Sequence, residues 1–177
     1  MPGLRRHEAF LMERDITKIK HRTLEDPRLH VVLYQPEIPF NTGNIARLCA
    51  AAELRLHLIH PLGFRVDDRH LKRAGLDYWG EVDVRHHRHF SAFLERAQAA
   101  HRIHAFSTHA GVTYTQARIR PGDFLLFGPE TRGLPEALKA AYPCYAVPIW
   151  GKVRSLNLST TVGIVAYHGL HRMGCFE

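Results

Sequence analysis

The sequence predicts an α/β fold on a mainly parallel sheet, and three observations carry that prediction. Short aliphatic and β-branched runs recur along the chain, and helical patterns fill the intervals between them. No internal repeat, low-complexity tract or linker divides residues 29–177. A length of 177 residues, with 45% hydrophobic and 23% charged residues, suits one ordinary globular core.

The strands are expected at LHVVLY (29–34), LRLHLIH (54–60), VDVRHH (82–87), RIHAFST (102–108), DFLLFG (123–128) and YAVPIW (145–150). Helices fit between them at 42–52, 67–75, 90–100 and 135–141, with a last one near 156–173. Asp67 and Ser91 are the expected N-terminal caps of two of these. TTVGIVAY at 160–167 has the β-branched content of a strand, but the segment's length and the spacing of Leu158, Val162 and Val165 fit a helix. Residues 1–28 alternate charge with Phe10, Leu11, Ile16 and Ile19, which predicts a surface helix ending before Pro27. The chain therefore reads as an N-terminal extension, 1–28, followed by one domain, 29–177.

Twenty-four Lys and Arg against 17 Asp and Glu leave a charge of +7, which suits a polyanionic partner without identifying it. The three cysteines, Cys49, Cys144 and Cys175, are far apart and odd in number, so a reducing compartment is expected rather than a disulfide framework. No apolar run reaches the roughly 18–20 residues that span a bilayer, and the N-terminus does not read as a signal peptide. The expectation is an unprocessed, cytoplasmic protein.

Three segments carry chemistry. In PEIPFNTGNIARLCAA (36–51) a strand ends in a loop that turns into a helix, with Ile45, Leu48, Cys49 and Ala52 as the buried stripe. Asn41, Asn44 and Arg47 fall on the other side near the helix start, where amide groups and a cation can hold a phosphate or a ribose. In LLFGPETRGLP (125–135) a buried strand runs into a turn bearing Glu130 and Arg132. Gly128 there would admit a ligand to the backbone, and Gly133 would allow a positive φ. In VPIWGKVRSLNLSTTVG (147–163) the strand ends at Pro148, a loop carries Lys152 and Arg154, and Ser155 opens the last helix beside Asn157. Each segment alone also reads as a cap or tight turn. Together they lie at strand carboxyl ends, where open α/β sheets bind ligands.

In order and spacing, these segments resemble the signature motifs of the SPOUT (alpha/beta-knot) 2′-O-ribose methyltransferases. The stretches LYQPEIPFNTGNIARLCA, RAGLDYW, FGPETRGLP and RSLNLS are most similar to the TrmL/YibK subfamily, the tRNA (cytidine/uridine-34)-2′-O-methyltransferases. The similarity runs from about Val31 to about Met173. It implies a trefoil-knotted sheet, S-adenosylmethionine as co-substrate without a metal, a homodimer with its active site at the interface, and leucine tRNAs as substrates. The implied cofactor loops run from Phe106 to Thr108, around Gly128, and from Val147 to Leu156; Phe106, Gly128, Val147, Ser155 and Leu156 are the cofactor-binding positions. Arg47 is implied as the residue that activates the 2′-hydroxyl, with Asn41, Glu130, Ser155 and Asn157 around it. An Arg is an awkward base, so a phosphate anchor is the second role open to Arg47. Arg47, Lys152 and Arg154 are the candidate RNA contacts. The family pattern is departed from at Thr160 and Thr161, which follow RSLNLS, and in the extension.

Other readings have less support. His86, His87 and His89, or His168, His171 and Cys175, lack four-ligand spacing and no Cys-x-x-Cys is present. No dinucleotide, P-loop or serine hydrolase motif occurs. A methyltransferase of another tRNA or rRNA position, or a non-catalytic RNA-binding protein of the same fold, are the alternatives. The last helix is apolar around much of its circumference, and Gly163 and Gly169 would let a second subunit approach, with Val165 and Tyr167 in or near that interface.

Overall fold

The computed structural model describes residues 21–66, 78–97 and 102–177. Each expected run supplies a strand: β1 (His30–Tyr34), β2 (Arg55–Ile59), β3 (Asp83–His87), β4 (Ile103–Phe106), β5 (Phe124–Phe127) and β6 (Cys144–Tyr145). They form one sheet in the order β3-β2-β1-β5-β4-β6, and all the pairings are parallel. Strand order reverses at the boundary between β1 and β5, so loops leaving these two strands diverge and open a crevice there.

Four described helices cover the sheet: α1 (Pro39–Ala52), α2 (Phe90–Arg96), α3 (Glu136–Ala141) and α4 (Leu158–Arg172). Pro39 enters α1 where its missing N–H costs nothing. Ile45 and Cys49 of the expected stripe are fully buried against Val31, Leu33, Leu56 and Leu58, with Leu48 and Ala52 at the margin. Burial pushes the Cys49 thiol up, which leaves it protonated and inert. On the opposite face Val32, Ile59, Phe124 and Leu126 pack with Phe93 and Leu134.

Several expectations need correction. The sixth strand stops at Tyr145, short of the expected 145–150, with one bridge from Ala146 to Thr113, because it is an edge strand paired only with β4. Residues 21–28 are not helical: Arg22 N donates to Gly80 O at 2.9 Å and Leu24 N to Asp83 Oδ2 at 2.8 Å, tying this end of the extension to the sheet. The rest of the proposed extension helix, all of that at 67–75 with its cap Asp67, and residues 98–100 lie outside the described residues. His89 rather than Ser91 caps α2, its Nδ1 accepting from Ala92 N at 3.1 Å. In α4, Val165 is fully buried beside Val162 and Leu170, and a Cβ at Gly169 would press on Leu29 and Ile119. Those two positions thus serve the chain's own core. Tyr167 is 43% exposed, and nothing lies within 4 Å of a Cβ at Gly163.

Histidines cross the sheet in a row. His30 Nδ1 meets His57 Nε2 at 2.9 Å, and His57 Nδ1 meets His87 Nε2 at 2.9 Å, against Phe93 and Phe124. His60 and His86 pair at 2.9 Å nearby. Burial holds His57 well below its ordinary pKa, and brings His60 and His87 to about 4 and His86 to about 3. Unfolded, the same rings take protons near pH 6.5. As pH falls the unfolded state therefore gains protons first, and stability, full above about pH 6.5, is lost progressively toward about pH 4. Urea midpoints should decline steadily across that interval; a flat profile would contradict a buried neutral row.

Candidate active site

A cleft of about 570 Å³ opens at the carboxyl ends of the strands. Its walls come from the loops after β4, β5 and β6 and from the start of α1, with Phe106, Phe127, Val147, Ile149 and Leu156 giving it an apolar side. Ser107, Thr108, Arg154 and Ser155 add polar groups. Both size and lining match the range of small-molecule sites, about 300–1,000 Å³.

Hydrogen bonds between remote segments fix the cleft's shape. Glu130 accepts from Glu37 N at 2.7 Å, from Ile38 N at 3.1 Å and from Asn41 Nδ2 at 3.1 Å. A carboxylate at the amino end of α1 also meets the favourable end of the helix dipole. Glu37 answers reciprocally: it accepts from Thr131 N at 2.9 Å and from Thr131 Oγ1 at 2.7 Å. These bonds, with Arg132 Nε 3.6 Å away, hold the Glu37 carboxyl below the usual range. Asn157 Nδ2 donates to Asn41 Oδ1 at 2.9 Å, while Asn157 Oδ1 accepts from Ser159 N at 2.9 Å and caps α4.

The structure brings Asn41, Glu130, Ser155, Asn157, Phe106, Gly128, Val147, Leu156, Thr108 and Arg154 to one cleft. Lys152 lies on the exposed part of the loop after β6, outside the lining. Arg47 is not in the lining either. It is exposed six residues beyond Asn41 on α1, its guanidinium 5.1 Å from the centroid of the Tyr78 ring. Asn41 departs from its expected placement, since it is 5% exposed whereas Asn44 faces solvent.

Two further expectations change. A Cβ at Gly128 would collide with the backbone of Gly133 and Leu134, so this glycine serves the closure of its own loop before any ligand. Gly133 does adopt a positive φ, of 67°. Ser155 does not open the last helix; Asn157 is the cap because its side chain, three residues before Thr160, reaches the first free N–H groups. Thr161 Oγ1 bonds Asn157 O at 3.2 Å and Thr160 is exposed, so both fit the first turn. Sequence reading missed Glu37 and Thr131, whose only signal was an acidic residue just ahead of a helix that begins with proline.

The histidine groups find ordinary roles. His86 and His87 pair with other histidines, His89 caps a helix, His168 packs edge-on to Tyr114 and His171 lies against Phe176. Among the described residues no group of three or more His, Cys, Asp or Glu could hold a metal ion.

The family model described as the SpoU rRNA Methylase family matches residues 28–167. A tRNA (cytidine(34)-2′-O)-methyltransferase of Escherichia coli is 45% identical over 149 residues, which cover 82% of this chain and 94% of that protein. One from Aeromonas hydrophila subsp. hydrophila is 46% identical, covering 82% and 95%. A solved structure concerned with the 2-OH methylation of C/U34 on tRNA has 53% identity and a TM-score of 0.78, covering 81% of this chain and 95% of the other.

Replacing Glu130 with Ala would strand two backbone N–H groups and the Asn41 amide. The expected loss is about 1–3 kcal/mol in urea unfolding. Wild-type stability in that variant would show that the carboxylate does not hold the loops together.

Proposed function

The chain belongs to the SpoU rRNA Methylase family, and from that premise we propose that it is a tRNA (cytidine(34)-2′-O)-methyltransferase. It methylates the ribose 2′-hydroxyl of cytidine or uridine 34, with S-adenosylmethionine as co-substrate. The observation that carries this reading is the relatives of that activity at 45–46% identity over 82% of the chain. Asn41, Glu130, Ser155 and Asn157 gathered at one cleft support it.

The cleft suits the co-substrate, with apolar walls for an adenine ring and polar groups in the loops for a ribose and an amino-acid tail. When bound, S-adenosylmethionine supplies an electrophilic methyl group on a sulfonium. The protein's part is to hold the ribose oxygen in line with that methyl, and such positioning can supply on the order of 7–11 kcal/mol. Asn41 and Asn157 keep the loops in register, and Ser155, exposed on the cleft, is free to bond the ribose. Arg47 anchors the phosphate that orients the target nucleotide, joined by Lys152 and Arg154.

The enzyme works as a homodimer in the cytoplasm. Tyr167 on α4 and Phe176 just beyond its end, 43% and 57% exposed with ring centroids 5.9 Å apart, form an aromatic surface, and Gly163 leaves room for close approach. A partner packed there is the natural source of an Arg47 that each cleft lacks in its own chain. No described helix is long and apolar enough to cross a membrane.

Mass spectrometry of tRNA incubated with the chain and S-adenosylmethionine should place the new methyl on the ribose of nucleotide 34; methylation elsewhere would redirect the reading to a sibling activity. Arg47→Ala should lower kcat/KM by at least about 100-fold, the scale of one lost oriented contact, with S-adenosylmethionine affinity retained in calorimetry. Tyr167→Glu should give a monomer by light scattering, with little activity. A fully active monomer would remove the dimer from the account.

A further inference from the structure

Trp150 stands in the loop between β6 and α4 with 92% of its surface exposed, the most exposed large apolar side chain among the described residues. Val153 follows at 62%, and Lys152 and Arg154 flank it, both exposed. The indole has no ring or hydrogen-bond partner among the described residues. Tryptophan normally buries most of its large surface, so a bare one is a surface waiting for a flat partner.

Position and charge say which partner. The same loop lines the cleft through Val147, Ile149 and Arg154, so Trp150 sits at the lip of the site rather than on a distant face. The carboxylates near that lip, Glu37 and Glu130, are committed to Thr131 and to the start of α1. The charges of Lys152 and Arg154 therefore remain available to an anion. A flat aromatic between cations matches unpaired RNA, with a base on the indole face and phosphates on the cations.

We propose that Trp150 is a stacking platform for a nucleobase adjoining the methylated nucleotide, with Lys152 and Arg154 holding the phosphates beside it. This inference rests on the tRNA reading above and adds a residue that positions the substrate. A protein partner, or a second copy of the chain, would instead cover the indole without RNA.

The chain has two tryptophans, and Trp79 is only 3% exposed, so emission at the red edge reports Trp150. In the full-length protein that emission should be water-like and independent of protein concentration. An anticodon stem-loop RNA should quench it, inorganic polyphosphate should not, and Trp150→Phe should remove the response. In methylation assays Trp150→Ala should raise KM for tRNA roughly 5- to 100-fold, as lost base stacking does. S-adenosylmethionine affinity should be unchanged, and Trp150→Tyr should restore much of the loss. An emission already blue-shifted and concentration-dependent without RNA would overturn the proposal in favour of a second copy. Equal quenching by polyphosphate, or an unaltered KM in Trp150→Ala, would overturn the stacking alone. A wild-type chain that methylates no tRNA would overturn the reading beneath it as well.

Discussion

Asn41 uses both ends of its side-chain amide on residues remote in sequence. It donates to Glu130, 89 positions away, and accepts from Asn157, 116 positions away. The cleft depends on that pair of hydrogen bonds, because the loops that wall it leave different strands and otherwise touch mainly through the Glu37–Thr131 and Glu130–backbone contacts. An amide is suited to the role, since its N–H groups donate and its oxygen accepts a short distance apart without a charge to desolvate. The buried position of Asn41 makes those bonds matter more, for an unpaired amide there would be expensive.

The sheet was readable from sequence because its strands are short apolar runs separated by helical intervals, and that contrast survives even where His30, His57 and His87 interrupt it. Reading failed where an element's limit depends on its neighbours. Pro148 marks the end of a strand in the sequence, but an edge strand with few partners stops sooner. Ser155 and Ser91 look like caps in the sequence, yet Asn157 and His89 have the side chains that reach free N–H groups. A composition-based signal ranks candidates by residue type; distance and direction decide among them.

Site residues divide the same way. Asn41, Glu130 and Asn157 were legible as polar residues at strand ends, and the family resemblance added Phe106 and Val147, whose side chains carry no chemical signal. Glu37 and Thr131 were not legible, because their meaning lies in a pairing across 94 positions. Gly128 was legible as necessary but for a different reason: its own loop, turning back through Gly133, leaves no room for a Cβ. Arg47 is the exception: it shares the α1 motif with Asn41, but the helix carries it nearly two turns away, to the Tyr78 ring.

The row of histidines has a further consequence, in how its members could change. Each neutral imidazole has one N–H, so His57 can donate through Nδ1 to His87 only while it accepts at Nε2 from His30. The tautomers are ordered in one direction across β1, β2 and β3, and the central ring has no freedom to choose its own. A substitution at one position therefore alters what the next requires: with His57 replaced by leucine, both neighbours keep a nitrogen facing hydrocarbon. Substitutions along the row are therefore coupled rather than additive: replacing the central ring leaves unpaired nitrogens that replacing all three rings would not.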